Sequence, residues 1–367
     1  MCSKLQALSD MGVSIWLDDL SRNRLRTGDL QERINHDCVV GVTTNPAIFS
    51  AAIGDGTDYA EQVAQLAEAH TDVDNAVFTM IIDDVRAACD VLRPVYESTG
   101  GADGRVSIEV DPRLSADTSA TIAQVKDLWA RVDRPNAMIK IPATAGSLPA
   151  VTEAIASGIC VNVTLIFSVA QYREVIDAYM TGLEQALERG IDISTIHSVA
   201  SFFVSRIDTM VDARLDEVGG DAAKELRSTL GLANARLAYQ AFEESLKSDR
   251  WSALESAGAH RQRPLWASTG VKDPALSPTL YVDELAVANT VNTMPEKTLR
   301  AVASESKLHG DAVHGSYDDS RARFEKLEEL GIDFDAISRT LLDEGVEKFE
   351  VAWNQLLDNV EIALKNR

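Results

Sequence analysis

Cysteine is scarce in this chain: four occur in 367 residues, at positions 2, 38, 89 and 160, and none forms a CxxC pair. Such scatter argues against a disulfide scaffold or a cysteine zinc ribbon and fits reduced thiols. Long apolar runs are also missing. The most apolar stretch, 155–170, is interrupted by Gly158, Asn162, Thr164 and Ser168, and it falls short of the roughly 20 residues a spanning helix needs. The opening string Met1-Cys2-Ser3-Lys4-Leu5-Gln6 holds no apolar leader core. Basic charge is in deficit: 35 Lys and Arg face 57 Asp and Glu, a net charge of −22. That surface repels nucleic acid and anionic membranes at long range. There is no P-loop, no GxGxxG, no HExxH, no fixed-period repeat and no low-complexity segment. These absences together predict a cytoplasmic protein that engages neither nucleic acid nor membrane. An anionic ligand would need a local cluster of cations.

What is present is an ordinary globular balance, 45% hydrophobic and 25% charged. Eight β-rich runs recur at 13–18, 39–44, 106–111, 137–142, 161–167, 198–203, 264–268 and 288–293. Helical patterns separate most of them, at 59–69, 73–96, 116–131, 146–156, 170–189, 207–217 with 222–247, and 281–287. Regular alternation of strand and helix predicts a parallel sheet with crossover helices. Eight units favour a closed (β/α)8 TIM barrel over an open doubly wound sheet. Within the runs the side chains alternate, as strand geometry requires. Ile15 and Leu17 oppose Ser14, Trp16 and Asp18; Ile108 and Val110 oppose Ser107, Glu109 and Asp111; Ile139 and Ile141 oppose Met138 and Lys140. In the fifth run Val161, Val163, Leu165 and Phe167 oppose Asn162 and Thr164. Each strand thus offers an aliphatic face to helices and a mixed face to an interior. The glycine-rich run 99–104 reads as a turn. The whole of 1–367 is expected to form one barrel domain, with 297–367 as additional C-terminal helices. Ile337, Leu341, Val346, Phe349, Trp353, Leu357, Val360 and Leu364 recur at helical spacing, which predicts a long helix packed on the barrel wall.

Lys140 is the most informative residue. It lies in Ala137-Met138-Ile139-Lys140-Ile141-Pro142-Ala143, a short apolar run. A buried ammonium must be paired, neutralised or used. A strand-edge lysine or a structural salt bridge would satisfy that need. So would a Schiff-base nucleophile, whose neutral amine attacks a sugar carbonyl. The second use also needs an acid to carry water away from the carbinolamine.

Polar residues cluster toward the C-terminal ends of the predicted strands, where barrel enzymes place their sites. Asp18 ends the first strand, Asn45 follows the second, Glu109 lies in the third and Lys140 in the fourth. Asn162 and Thr164 lie in the fifth and Ser201 in the sixth, with Arg206 just after it and Lys272 after the seventh. Asp18 and Glu109 suit either a salt bridge to Lys140 or acid–base work. Asp19 and Asp111 are neighbours with the look of caps or loop ligands, and Asp111, before Pro112, reads as a turn residue. Asn45 before Pro46 can start a turn. An arginine at a helix start makes a good anion site, and Lys272 can add a second cation. His309 and His314 read as scattered surface histidines. A magnesium site on Asp18, Glu109 and Asp111 is a further possibility, disfavoured by a lysine in its midst.

Six strings in this order resemble the transaldolase family: Trp16-Leu17-Asp18-Asp19-Leu20, Gly41-Val42-Thr43-Thr44-Asn45-Pro46, Val106-Ser107-Ile108-Glu109-Val110-Asp111-Pro112-Arg113-Leu114, Met138-Ile139-Lys140-Ile141-Pro142-Ala143-Thr144, Asn162-Val163-Thr164-Leu165-Ile166-Phe167-Ser168 and Ser201-Phe202-Phe203-Val204-Ser205-Arg206. The chain length and Trp266-Ala267-Ser268-Thr269-Gly270-Val271-Lys272 look like its longer bacterial branch. The resemblance implies a (β/α)8 barrel and transfer of a dihydroxyacetone unit from sedoheptulose 7-phosphate to glyceraldehyde 3-phosphate. Erythrose 4-phosphate and fructose 6-phosphate would be the products, in the non-oxidative pentose phosphate pathway, with no metal or organic cofactor. It assigns the Schiff base to Lys140, the acid–base step of bond cleavage to Asp18, and proton shuttling through a water to Glu109 and Thr164. Asn45 and Asn162 would hold the hydroxyls of the retained unit, and Ser201 and Arg206 the phosphate. Phe203 would stand near the water, where its aromatic ring would restrict hydrolysis of the intermediate. Some relatives carry a second phosphate arginine after the seventh strand; here Lys272 is the substitute. The nearest alternative is a fructose 6-phosphate aldolase that uses the same lysine but releases free dihydroxyacetone. A metal-dependent barrel enzyme and a non-catalytic sugar-phosphate binder are more distant. Monomer and homodimer are both compatible with the sequence.

Overall fold

The structure is a computed structural model that describes residues 4–54 and 57–366. Met1, Cys2 and Ser3 lie outside these residues. Eight parallel strands close in sequence order: β1 (Val13–Leu17), β2 (Val39–Val42), β3 (Arg105–Glu109), β4 (Ala137–Pro142), β5 (Val161–Ile166), β6 (Ser198–Phe203), β7 (Arg263–Ala267) and β8 (Thr290–Met294). β8 pairs with β1 from Val13↔Thr290 to Leu17↔Met294, which completes the cylinder. The expected (β/α)8 barrel is therefore the fold, with strand ends within a few residues of those read from alternation.

Alternation builds the two layers. Val13, Ile15 and Leu17 pack in the layer between strands and helices, while Trp16 packs inside with Met138, Val199, Leu265 and Val291. Gly41 faces that indole: a Cβ there would lie 2.5 Å from Trp16 Cε2, so only glycine leaves room for the ring. The fifth strand departs from the expected alternation. Leu165 and Phe167 belong to the interior cluster and Ile166 to the outer layer. The cause is Leu165 itself, whose φ of 59° is left-handed and coincides with a register shift between Val163 and Ile166. One left-handed residue reverses the faces that follow it.

The crossover helices begin where side chains can satisfy free N–H groups. Asp72, Asp117, Ser168 and Ser248 each accept a bond from a first-turn amide of the helix they precede. Two short helices, Arg22–Arg26 and Asp29–His36, fill the β1–β2 connection, which the helical patterns missed. The pattern at 222–247 resolves into Gly220–Leu226 and Leu230–Ser245, broken where Ser228 takes a φ of 57°.

The C-terminal helix, Phe334–Lys365, is capped by Asp333. It does not simply lie on the wall. It packs on the helix after β2 (Pro46–Gly54), the 3-10 turn after β3 (Pro112–Leu114) and the helix after β6 (Ser205–Val218). All three leave the C-terminal ends of strands, so the helix crosses the barrel mouth. Trp353 then anchors it to Phe78, with ring centroids 5.0 Å apart. Among the described residues, no helix is long and apolar enough to cross a membrane.

Candidate active site

The strand ends converge on a cavity of about 190 Å³ lined by Asp18, Asn45, Lys140, Thr164, Ser201, Phe203, Arg206 and Lys272, with Thr43, Thr293 and Phe349 among the other walls. A wider cleft of about 750 Å³ adjoins it and shares Asp18, Asn45 and Pro295. Of the ten residues singled out from the sequence, Glu109 and Asn162 do not line the cavity. Glu109 reaches it through Lys140, and Asn162 through Ser201.

Lys140 is buried. Its Nζ donates to the Thr44 carbonyl at 3.0 Å and to Glu109 Oε2 at 3.4 Å. Thr44 reaches the amine because its own hydroxyl is tied to the Ser107 carbonyl at 2.7 Å. Burial pushes the Glu109 carboxyl up to about 7, against the pull of Lys140 and with a push from Asp18. Asp18 is half-buried at the cavity edge. Surrounding protein raises its carboxyl above the usual range, and Lys140 and the Thr43 hydroxyl oppose that. Thr43 Oγ1 donates to Asp18 Oδ1 at 2.7 Å and stands 2.6 Å from Thr293 Oγ1. A hydroxyl has one proton, so Thr293 is the donor in the second contact. This chain joins β8, β2 and β1 and fixes the Asp18 carboxylate. Neither threonine stands out in the sequence, where Thr43 is one member of the Gly41–Pro46 string.

Asn162 Nδ2 donates to Ser107 Oγ at 3.0 Å, and Ser201 Oγ donates to Asn162 Oδ1 at 2.7 Å. The Ser201 proton is thus committed to Asn162. Thr164 Oγ1 is buried with no protein partner. Such an orphan facing a cavity is open to a water or substrate oxygen. Asn45 Oδ1 accepts from the Ile48 amide at 3.1 Å, so it starts the Pro46–Gly54 helix while lining the cavity.

Arg206 lies in the first turn of Ser205–Val218 with its guanidinium carbon 5.1 Å from the Phe203 ring. Its Nη1 is buried and unpartnered. Burial lowers its pKa, offset by Glu344 and Asp18. A desolvated cation with a spare donor at a helix start is built to receive an anion. Lys272 is exposed at the rim of the same cavity. The adjoining cleft, by contrast, carries Asp19, Asp58 and Glu296, with Asp19 and Glu296 held by Arg24 at 2.8 and 2.6 Å.

Asp111 stands apart. It caps the 3-10 turn and grips Arg113, with Nε at 2.9 and 3.0 Å from its two oxygens. That removes it from a shared site with Asp18 and Glu109. Among the described residues no group of three His, Cys, Asp or Glu side chains is placed to hold a metal ion. His314 is bound between Asp311 and Glu243, and His309 stands 3.4 Å from Glu284. Neither lines the cavity.

Comparison with known proteins gives one consistent answer. A family model described as transaldolase/fructose-6-phosphate aldolase matches residues 15–360. A protein named transaldolase 1 from Streptomyces avermitilis is 61% identical over 99% of this chain and 96% of its own. Transaldolase 2 of Streptomyces coelicolor is 58% identical over 100% and 98%. A transaldolase of Mycolicibacterium smegmatis is 59% identical over 96% and 95%.

Proposed function

Because the chain belongs to the transaldolase/fructose-6-phosphate aldolase family, we propose that it is a transaldolase acting through a Schiff base on Lys140. The observation that carries the reading is the buried Lys140 amine, 3.4 Å from Glu109, in one cavity with Asp18 and an unpartnered Arg206. The donor is sedoheptulose 7-phosphate and the acceptor glyceraldehyde 3-phosphate, which yields erythrose 4-phosphate and fructose 6-phosphate in the cytoplasm.

The neutral amine attacks the ketone carbon to form a carbinolamine. Glu109, held near neutrality, supplies the proton with which water leaves, relayed through a water on Thr164 Oγ1. The iminium that remains is the electron sink. The Asp18 carboxylate takes the proton of the hydroxyl whose carbon–carbon bond breaks, and the aldehyde departs. The enamine then adds to the acceptor, Asp18 returns its proton, and hydrolysis frees the product. Asn45 holds the hydroxyls of the retained three carbons from the cavity wall, and Asn162, oriented by Ser107, acts on them through the Ser201 hydroxyl. Arg206 receives the phosphate, with Lys272 as the outer cation.

Borohydride trapping with fructose 6-phosphate, read by mass spectrometry, tests the reading. A three-carbon adduct on Lys140 is expected. Active enzyme with no adduct there would sink it.

A further inference from the structure

The C-terminal helix carries an aromatic ring to the reacting amine. Phe349 is buried, lines the cavity, and holds its ring centroid 5.6 Å from Lys140 Nζ. The height of the helix above the mouth is set on both sides of that ring. Gly345, one turn earlier, lies against Leu165: a Cβ there would be 3.0 Å from Leu165 Cδ2. Leu165 meets it because its left-handed backbone turns the side chain inward, directly after Thr164. Trp353, one turn later, is held on Phe78. Residues 345, 349 and 353 share one helix face, so the ring is clamped at two points.

Lys140 is otherwise met by polar groups: the Thr44 carbonyl, the Glu109 carboxylate and the field of Asp18. Each of these can orient a water. Phe349 cannot, and the face of its ring tolerates a cation such as an iminium. The enamine on Lys140 has two fates. It can add through carbon to an aldehyde. Alternatively it takes a proton on carbon to become an iminium, and water adds to the iminium carbon. The resulting carbinolamine loses a proton, its C–N bond breaks, the amine is regenerated and free dihydroxyacetone leaves. Both fates end with water adding at the iminium carbon, but only the second needs a proton and then water to reach the three-carbon intermediate before an aldehyde does.

We infer that Phe349 is a specificity-determining residue that favours the aldehyde acceptor over water at the Lys140 intermediate. The inference rests on the Schiff-base reading above. Its test is a ratio. With fructose 6-phosphate as donor, free dihydroxyacetone released without acceptor is compared with transfer to erythrose 4-phosphate. Wild type, F349A and F349L are used, with folding checked by thermal melts. F349A is expected to raise the ratio of release to transfer by roughly tenfold or more. F349L keeps apolar bulk without a π face and should raise it less. An unchanged ratio in a folded variant, or release and transfer falling in step, overturns the proposal. If F349A does not fold, F349L decides by the same criterion. A lysine adduct trapped in wild type keeps the two readings separable, since it can be present while the ratio stays fixed.

Discussion

Glu109 and Lys140 are register partners on adjacent strands, and their side chains meet at 3.4 Å inside the barrel. Partners in parallel register point to the same face, so placing a carboxyl on β3 opposite a lysine on β4 brings the acid to the amine without any loop. The pairing also explains why Glu109 stays near neutrality: burial pushes its proton on, and the adjacent amine limits how far.

The pH dependence follows with a definite sign. Glu109 is raised from 4.5 to about 7, so its proton is present below that pH and lost above it. Turnover should fall as pH rises through about 7, and E109Q should lower kcat by about 10²–10⁴-fold and flatten that limb. A kcat–pH profile checks both. Stability carries the same linkage. Between about 4.5 and about 7 the folded state holds a proton that the unfolded chain releases, so rising pH weakens the fold there, and less so in E109Q.

In the proposed mechanism Asp18 acts after the iminium forms. D18N should therefore still condense with fructose 6-phosphate but fail to cut it. Borohydride should trap the uncut six-carbon phosphate on Lys140 instead of the three-carbon fragment. A three-carbon adduct at the wild-type rate would take Asp18 out of the cleavage step.

Lys272 and Arg206 differ in burial, and their variants should differ accordingly. K272A removes an exposed rim cation and is expected to raise KM for phosphorylated substrates about tenfold, with a smaller change in kcat. R206A removes the partly buried cation with the unpartnered Nη1 and should cost more. Steady-state kinetics on both substrates decides; unchanged KM in K272A would remove that lysine from the site.

Gly41 is expected to be intolerant of any side chain. Its Cβ would stand 2.5 Å from the buried Trp16 indole, and overpacking of that kind costs roughly 1–3 kcal/mol. G41A should lower the thermal midpoint. A melt equal to wild type would show that the barrel floor can shift.

Most of the barrel was legible because strand alternation and strand-end polarity are written in side chains one residue apart. Asp18, Lys140, Thr164 and Arg206 were found that way. Other features were not readable on that basis. Nothing in Val163-Thr164-Leu165-Ile166 announces a left-handed Leu165, so the faces of Leu165 and Phe167 came out reversed. The Arg22–Arg26 and Asp29–His36 helices are short and polar, with too little periodic apolar signal to register. Phe349 was visible as a buried helix position, but helical spacing says only that a residue is covered, not what it covers. Thr43 and Thr293 matter through one hydroxyl proton each, which no spacing reveals.

The order of assembly has a consequence of its own. Lys140 leaves the ribosome well before residues 334–365. A nascent chain whose cylinder has closed through β8 would already hold its amine in the mouth without the Phe349 ring beside it. The same exposure would return whenever a protease clips the final helix, so a nicked molecule would be a leaky one before it became an unfolded one.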